Sequence, residues 1–320
     1  MERNLALDLL RATEAASLAS ARLMGRGDKH AAEQAATVGM HNVFRSIDLR
    51  ARVVIGAGER LETPVLFVGE EVGRWSATDA EADVAAIPLD GAKPCAYGGP
   101  NAICVMAMTL SGRFLPVPDV YMEKMVVGPA GKGALDIHRP VTANLQAVAD
   151  AKGLYVEDLT VVILDRPRHE ALIREVREAG ARIKLIGDGD VAGAISSCLD
   201  ETGVDMLLGI GGAHEGVIAA AALLCTGGDM VARLRPRNVE DLARLKAAGF
   251  DDPDRVYGLH DLVTGDVFFA ATGVTDGDFL KGVRFIRGGA VTRSLVMRSR
   301  TMTVRQIETH HRFDRTPDYS

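Results

Sequence analysis

No stretch of this 320-residue chain stays apolar for the roughly 20 residues that a membrane-spanning helix needs, which argues against a membrane role. Cysteine is scarce. Cys95, Cys104, Cys198 and Cys225 have neither zinc spacing nor a C-x-x-C pair. That argues against a zinc site or a disulfide framework and for a reduced, cytoplasmic setting. Positive charge is not in excess. A net charge of −6 argues against nucleic acid or an anionic membrane as the main partner. Low-complexity tracts and short-period repeats are absent. No G-x-G-x-x-G follows a strand with a matching acidic residue, and Gly128–Gly133 lacks the spacing and terminal Ser or Thr of a P-loop. The opening Met1-Glu2-Arg3-Asn4 leads into an amphipathic pattern rather than a signal peptide.

What is present points to a sizeable α/β core, since 47% of the residues are hydrophobic. Helical periodicity predicts helices over Leu5–Leu23 and Ala31–Leu49, joined by a tight Gly25–Lys29 loop. Enrichment in β-branched residues predicts strands over Arg52–Ile55, Val65–Val68 and Val84–Ile87, and Ala102–Leu110 and Val120–Val127 read as two more. Helix and strand alternate from Thr142 onward. Strands at Leu159–Leu164, Ile183–Ile186 and Met206–Leu208 interleave with helices at Thr142–Lys152, Glu170–Ala179, Ala192–Leu199 and Val217–Cys225. Such units predict a mainly parallel sheet covered on both faces, with ligands at the carboxyl ends of its strands. Asn238–Ala248 reads as a helix, Val267–Ala271, Leu295–Met297 and Thr301–Ile307 as strands, and the tail from His310 as polar and loosely held. The composition changes near His138–Pro140, which predicts two halves, 1–139 and 140–320.

The most informative stretch is Val84–Asn101, V-A-A-I-P-L-D-G-A-K-P-C-A-Y-G-G-P-N. Pro88 has no N–H to continue a ladder, and Gly91 permits a sharp turn after Asp90. A carboxylate at such a loop tip can meet a metal or a phosphate ester, although an ordinary strand-to-loop transition with a solvated Asp is the commoner meaning of the local pattern. Three further loops follow strands: Asp165–His169, Asp188–Ala192 and Gly209–Ala213. Arg166 and Arg168 can fork onto a phosphate, Asp188 and Asp190 can accept from sugar hydroxyls, and Gly211 and Gly212 allow close backbone approach. Each also reads as a plain strand-to-helix turn.

Taken together, several motifs resemble those of the class II fructose-1,6-bisphosphatases, the GlpX family of lithium-sensitive sugar phosphatases. They are Gly25-Arg26-Gly27-Asp28-Lys29, Val54-Ile55-Gly56 with Gly58-Glu59, Asp119–Lys124, Pro167-Arg168-His169, Asp188–Ala192 and Gly209–Ala213. The resemblance implies the layered α/β fold of the inositol monophosphatase/fructose-1,6-bisphosphatase superfamily, with a cleft between the halves and a homo-oligomeric state. It implies a small-molecule ketose phosphate as partner, with Lys29, Tyr121, Arg166, Arg168, Asp188, Asp190, Gly212 and Glu215 as binding residues. It also implies Mg²⁺ or Mn²⁺ as cofactor.

The carboxylates that such metals need are changed here. The family's Asp-Pro-x-Glu-Gly-Thr reads Ile87-Pro88-Leu89-Asp90-Gly91-Ala92, and its Gly-Glu-Gly-Glu reads Gly56-Ala57-Gly58-Glu59. Ligands are therefore replaced at Ala57 and Ile87, and Glu33 stands where the family has Asp. Glu33 and Asp90 remain as candidate metal ligands and catalytic carboxylates, and Glu59 and Asp83 complete a rearranged set. His214, where the family has Pro, is a candidate acid or base, though a surface His at a helix start fits as well. These departures predict altered or metal-independent chemistry on a ketose phosphate. The alternatives are a working metal-dependent fructose-1,6-/sedoheptulose-1,7-bisphosphatase and a non-catalytic sugar-phosphate-binding protein.

Overall fold

The computed structural model describes residues 5–75 and 81–315. The chain opens with helices α1 (Leu5–Ala21) and α2 (Lys29–Phe44). Asp28 caps α2 by accepting the Ala31 N–H at 2.9 Å, so Lys29 is its first residue. The helix ends short of the expected Leu49. Strands β1 (Arg50–Ile55), β2 (Glu71–Val72) and β3 (Glu81–Asp90) follow, then the short α3 (Ala92–Tyr97) and β4 (Ile103–Leu110). Val65–Val68 does not form the expected strand. Leu66 has φ 54°, outside the extended region, and the segment leaves one bridge, Gly58 to Phe67. Strand β3 runs through Pro88 to Asp90, and its register with β4 shifts between Ile87 and Asp90. Pro88 thus sits in a bulge, where its missing N–H breaks no ladder bond.

The middle of the chain is a second compact unit, Leu115–Thr264. It holds β5 (Tyr121–Val127), α4 (Val141–Lys152), β6 (Thr160–Leu164), α5 (Glu170–Glu178), β7 (Arg182–Ile186) and α6 (Asp190–Ser196). It continues with β8 (Met206–Gly212), α7 (Ala213–Thr226), β9 (Asp229–Arg235), α8 (Val239–Ala247), β10 (Val256–Gly258) and α9 (Leu259–Leu262). Its sheet has the order β10-β9-β5-β8-β6-β7. Strands β7, β6 and β8 are parallel, whereas β5 runs antiparallel to both β8 and β9. The sheet is therefore mixed rather than mainly parallel. The parallel trio still places the loops after β6, β7 and β8 along one edge.

The chain then returns to the first unit, Met1–Phe114 with Gly265–Ser320. Strands β11 (Phe268–Gly273), β12 (Arg284–Ile286), β13 (Gly289–Arg298) and β14 (Thr303–Arg312) complete the first sheet, in the order β2-β1-β3-β4-β11-β13 with β12 and β14 also paired to β13. β11 is buried at every position and lies between β4 and β13. That pairing explains why the division falls at 114/115 and 264/265, while the expected boundary near His138–Pro140 lies inside the second unit. His310–Arg312 belong to β14, so the polar tail is ladder-bonded that far. Residues 1–4 and 316–320, with the expectations that fell on them, lie outside the described residues. Helix α1 packs on α2, β11 and β13, with Leu9, Ala12 and Ala16 buried in a core shared with Met40, Met106 and Ala270. A separate core in the second unit centres on Leu145, Val161, Ile163 and Met206. Both units are thus layered α/β structures. No helix among the described residues is long and apolar enough to cross a membrane.

Candidate functional site

In the second unit, the three parallel strands deliver their loops to one sheet edge, and a hydrogen-bonded lattice ties those loops together. Lys124 on β5 donates to Asp190 Oδ2 at the start of α6, and to Gly212 O, at 2.9 Å, at the end of β8. The Lys124 and Asp190 side chains are 3% and 8% exposed, so this is a buried ion pair. The two glycines beside it leave room for carboxylates. A Cβ on Gly211 would stand 2.0 Å from Asp190 Oδ2, and one on Gly212 would stand 1.8 Å from Glu215 Oε2. Burial and the neighbouring Asp190 push the Glu215 carboxyl above its ordinary range, with Lys124 acting the other way.

His169 fastens the loop after β6 to β8. Its Nδ1 lies 2.7 Å from Leu164 O and its Nε2 lies 2.8 Å from Ile210 N. A carbonyl only accepts and an amide N–H only donates, so the ring is neutral with its proton on Nδ1. Ile210 O in turn accepts from Arg168 Nε and Nη2, at 3.0 and 2.7 Å. The Arg168 guanidinium lies 4.7 Å from the centroid of the Tyr121 ring.

Each candidate residue can now be placed. Arg168 lies over the Tyr121 ring, and Arg166 pairs with Asp188 at 3.6 Å, both side chains partly exposed. Asp190, expected to meet sugar hydroxyls, commits Oδ2 to Lys124, and Gly212 and Glu215 gather beside it. His214 Nε2 lies 3.0 Å from Val117 O and, facing a carbonyl, donates there. That bond anchors the start of α7 to the segment before β5.

Lys29, Glu33 and Asp90 belong to the first unit. Lys29 and Glu33 are exposed on the first turns of α2, and Asp90 is buried at the end of β3. Gly91 follows with φ 88°, where a Cβ would stand 3.1 Å from Ala102 Cα, so only glycine makes this turn. Asp83 accepts the Gly112 N–H at 2.6 Å. It sits seven residues before Asp90 on the same strand, roughly 20 Å away at ordinary strand rise, so the two cannot share a metal. Glu70 receives the Leu66 N–H and pairs with His41 at 3.1 Å, and Glu71 pairs with Arg52 at 3.4 Å, so both serve local structure. Among the described residues, no three His, Cys, Asp or Glu side chains converge in a group that could hold a metal ion. Ala57 and Ile87 themselves offer no oxygen donor, so a hard divalent ion here would have to be held by other carboxylates, carbonyls or water.

Sequence reasoning did not single out Lys124, His169 or Arg237. The first two lie inside motifs that carry the resemblance, but their roles depend on partners 66 and 41 positions away. Arg237 lies in no such motif.

The sequence comparisons with known proteins span nearly the whole chain. A family model described as bacterial fructose-1,6-bisphosphatase, glpX-encoded, matches residues 3–311. The chain is 42% identical over 337 residues to a Synechococcus elongatus protein named D-fructose 1,6-bisphosphatase class 2/sedoheptulose 1,7-bisphosphatase, covering 98% of each. It is 42% identical over 342 residues to a Microcystis aeruginosa protein of the same name, covering 100% of this chain and 99% of that one. Among solved structures, the extragenic suppressor protein suhB of Bartonella henselae is similar at 12% identity and a TM-score of 0.34, covering 62% of this chain and 74% of that one. With a family model spanning nearly its full length and relatives at this identity, the chain belongs to the glpX-type, class II fructose-1,6-bisphosphatase family.

Proposed function

We propose that this protein binds and dephosphorylates a ketose bisphosphate, of the fructose 1,6- or sedoheptulose 1,7- type, and that the loops after β6, β7 and β8 hold the substrate. What carries the reading is the full-length likeness, at 42% identity, to proteins named for hydrolysing those two sugars. That likeness favours hydrolysis over the altered chemistry expected from the changed carboxylates. Arg168 supplies a guanidinium braced on Ile210 O and Tyr121. Glu215 supplies a carboxyl whose pKa is raised by burial and by the neighbouring Asp190. Arg168→Ala is expected to weaken fructose 1,6-bisphosphate binding about tenfold, the effect of one lost charge-assisted contact. Unchanged affinity in calorimetry would remove Arg168 from the site.

A second reading rests on Ala57 and Ile87 and on the separation of Asp83 from Asp90 along β3. In it the protein binds a ketose phosphate and either rearranges it without a divalent metal or only holds it. One experiment separates the readings: phosphate release from a panel of ketose mono- and bisphosphates, with and without Mn²⁺, with the sugars followed by mass spectrometry. Metal-stimulated phosphate release from a bisphosphate is the expected outcome. A rearranged sugar without release, or binding without turnover, would overturn hydrolysis in favour of the second reading. Combining Ala57→Glu, Ile87→Asp, Asp90→Glu, Ala92→Thr and Glu33→Asp would then be expected to introduce metal-dependent release if the site has only decayed.

A further inference from the structure

Tyr121 at the start of β5 has two guanidiniums against its ring. Arg168 lies 4.7 Å from the centroid and Arg237, in the loop before α8, lies 4.9 Å from it. The two cations are therefore no farther apart than the sum of those distances. Arg237 is held in place from behind. Its Nε donates to Asp241 Oδ2 at 2.6 Å, its Nη2 to Asp241 Oδ1 at 3.0 Å and to Asp119 O at 3.1 Å. The Asp241 side chain is 2% exposed, and Asn238 Oδ1 caps its backbone N–H at 2.9 Å. An arginine on a surface loop ordinarily keeps its rotamer freedom, and fixing it costs entropy. Here a buried carboxylate fixes it in bidentate geometry with part of the guanidinium still exposed. Among the described residues, no carboxylate forms an ion pair with Arg168. Two cations brought to one ring repel each other, and an anion bound between them relieves that repulsion.

We propose that Arg237 is a further substrate-binding residue, which with Arg168 grips one phosphate of the ketose bisphosphate beside the Tyr121 ring. The proposal rests on the reading that ketose bisphosphates are the substrates. A purely structural Arg237, tying α8 to β5, would affect all ligands alike. A phosphate-gripping Arg237 affects only ligands that place a phosphate there.

The test is calorimetric titration of the full chain with fructose 1,6-bisphosphate, fructose 1-phosphate and fructose 6-phosphate, for the wild type, Arg237→Lys and Arg237→Met. A third variant, Arg237→Met with Asp241→Asn, removes the buried charge that Arg237→Met would leave unpaired. Arg237→Met, alone or with Asp241→Asn, is expected to weaken the bisphosphate and one of the two monophosphates about tenfold while sparing the other. Arg237→Lys is expected to recover part of the loss, since a point charge replaces the fork. Equal loss for both monophosphates, or no loss, overturns the proposal while leaving the substrate class intact. A wild type that binds none of the three overturns the substrate class, and the role of Arg237 with it.

Discussion

Replacing Lys124 with methionine is expected to lower the unfolding free energy by ~3–5 kcal/mol, the usual cost of removing one partner from a buried ion pair. Methionine keeps much of the stem volume, so the change isolates the charge and its two hydrogen bonds. With the Asp190 side chain 8% exposed, its carboxylate cannot turn to water for compensation. It must stay charged without a partner or take up a proton, and Gly212 O loses its donor as well. Adding Asp190→Asn removes the stranded charge and is expected to recover part of the loss. Urea unfolding followed by circular dichroism reads both variants. A loss below about 1 kcal/mol, the range of an exposed pair, would mean that solvent already relieves this one.

The second large effect concerns His169 and acid. Burial pushes its pKa below the ordinary 6.5, with Arg168 and Arg166 acting in the same direction and the Leu164 carbonyl and Asp190 acting against it. The unfolded chain therefore takes up this proton first as pH falls. The stability that neutral His169 contributes is complete above about pH 6.5 and is lost as pH drops from there through the folded pKa. Protonation also puts a hydrogen on Nε2, which then cannot accept the Ile210 N–H. Ile210 is the residue whose carbonyl braces Arg168, so sugar-phosphate affinity is expected to fall over the same window. His169→Ala leaves Leu164 O and Ile210 N–H unpaired, at roughly 1–3 kcal/mol each. His311 in the first unit is also shifted down by burial and adds its own acid sensitivity, so the comparison must be made in the variant. If the pH slope of stability below 6.5 is the same with and without His169, the ring is not the group responsible.

The sequence was most legible where a pattern is local. Helices α4, α5 and α8 fall within a residue or two of their periodicities, because each carries an apolar face and its own terminus signals. β9 has no counterpart among the expected strands, although Asp229–Arg235 alternates cleanly in burial. Val65–Val68 failed for the opposite reason. It has strand composition, but the turn at Leu66 outweighs that preference. The candidate site was legible as a set of residue types and loops. The pairings inside it were not, because Arg166 meets Asp188, Asp190 meets Lys124 and His214 meets Val117 O only through long-range packing.

By itself the sequence determined the family, the α/β class, the three loops after strands and the apolar residues at Ala57 and Ile87. Those are properties of residue identity and spacing along the chain. Only the tertiary structure decided that residues 268–312 complete the first sheet, that Asp83 and Asp90 stand seven residues apart along one strand, and that Lys124, His169 and Arg237 brace the loops around them. Each of these depends on which strand lies beside which. Strand order is fixed by burying both faces of β11 and by setting β6, β7 and β8 parallel, and no local pattern encodes it.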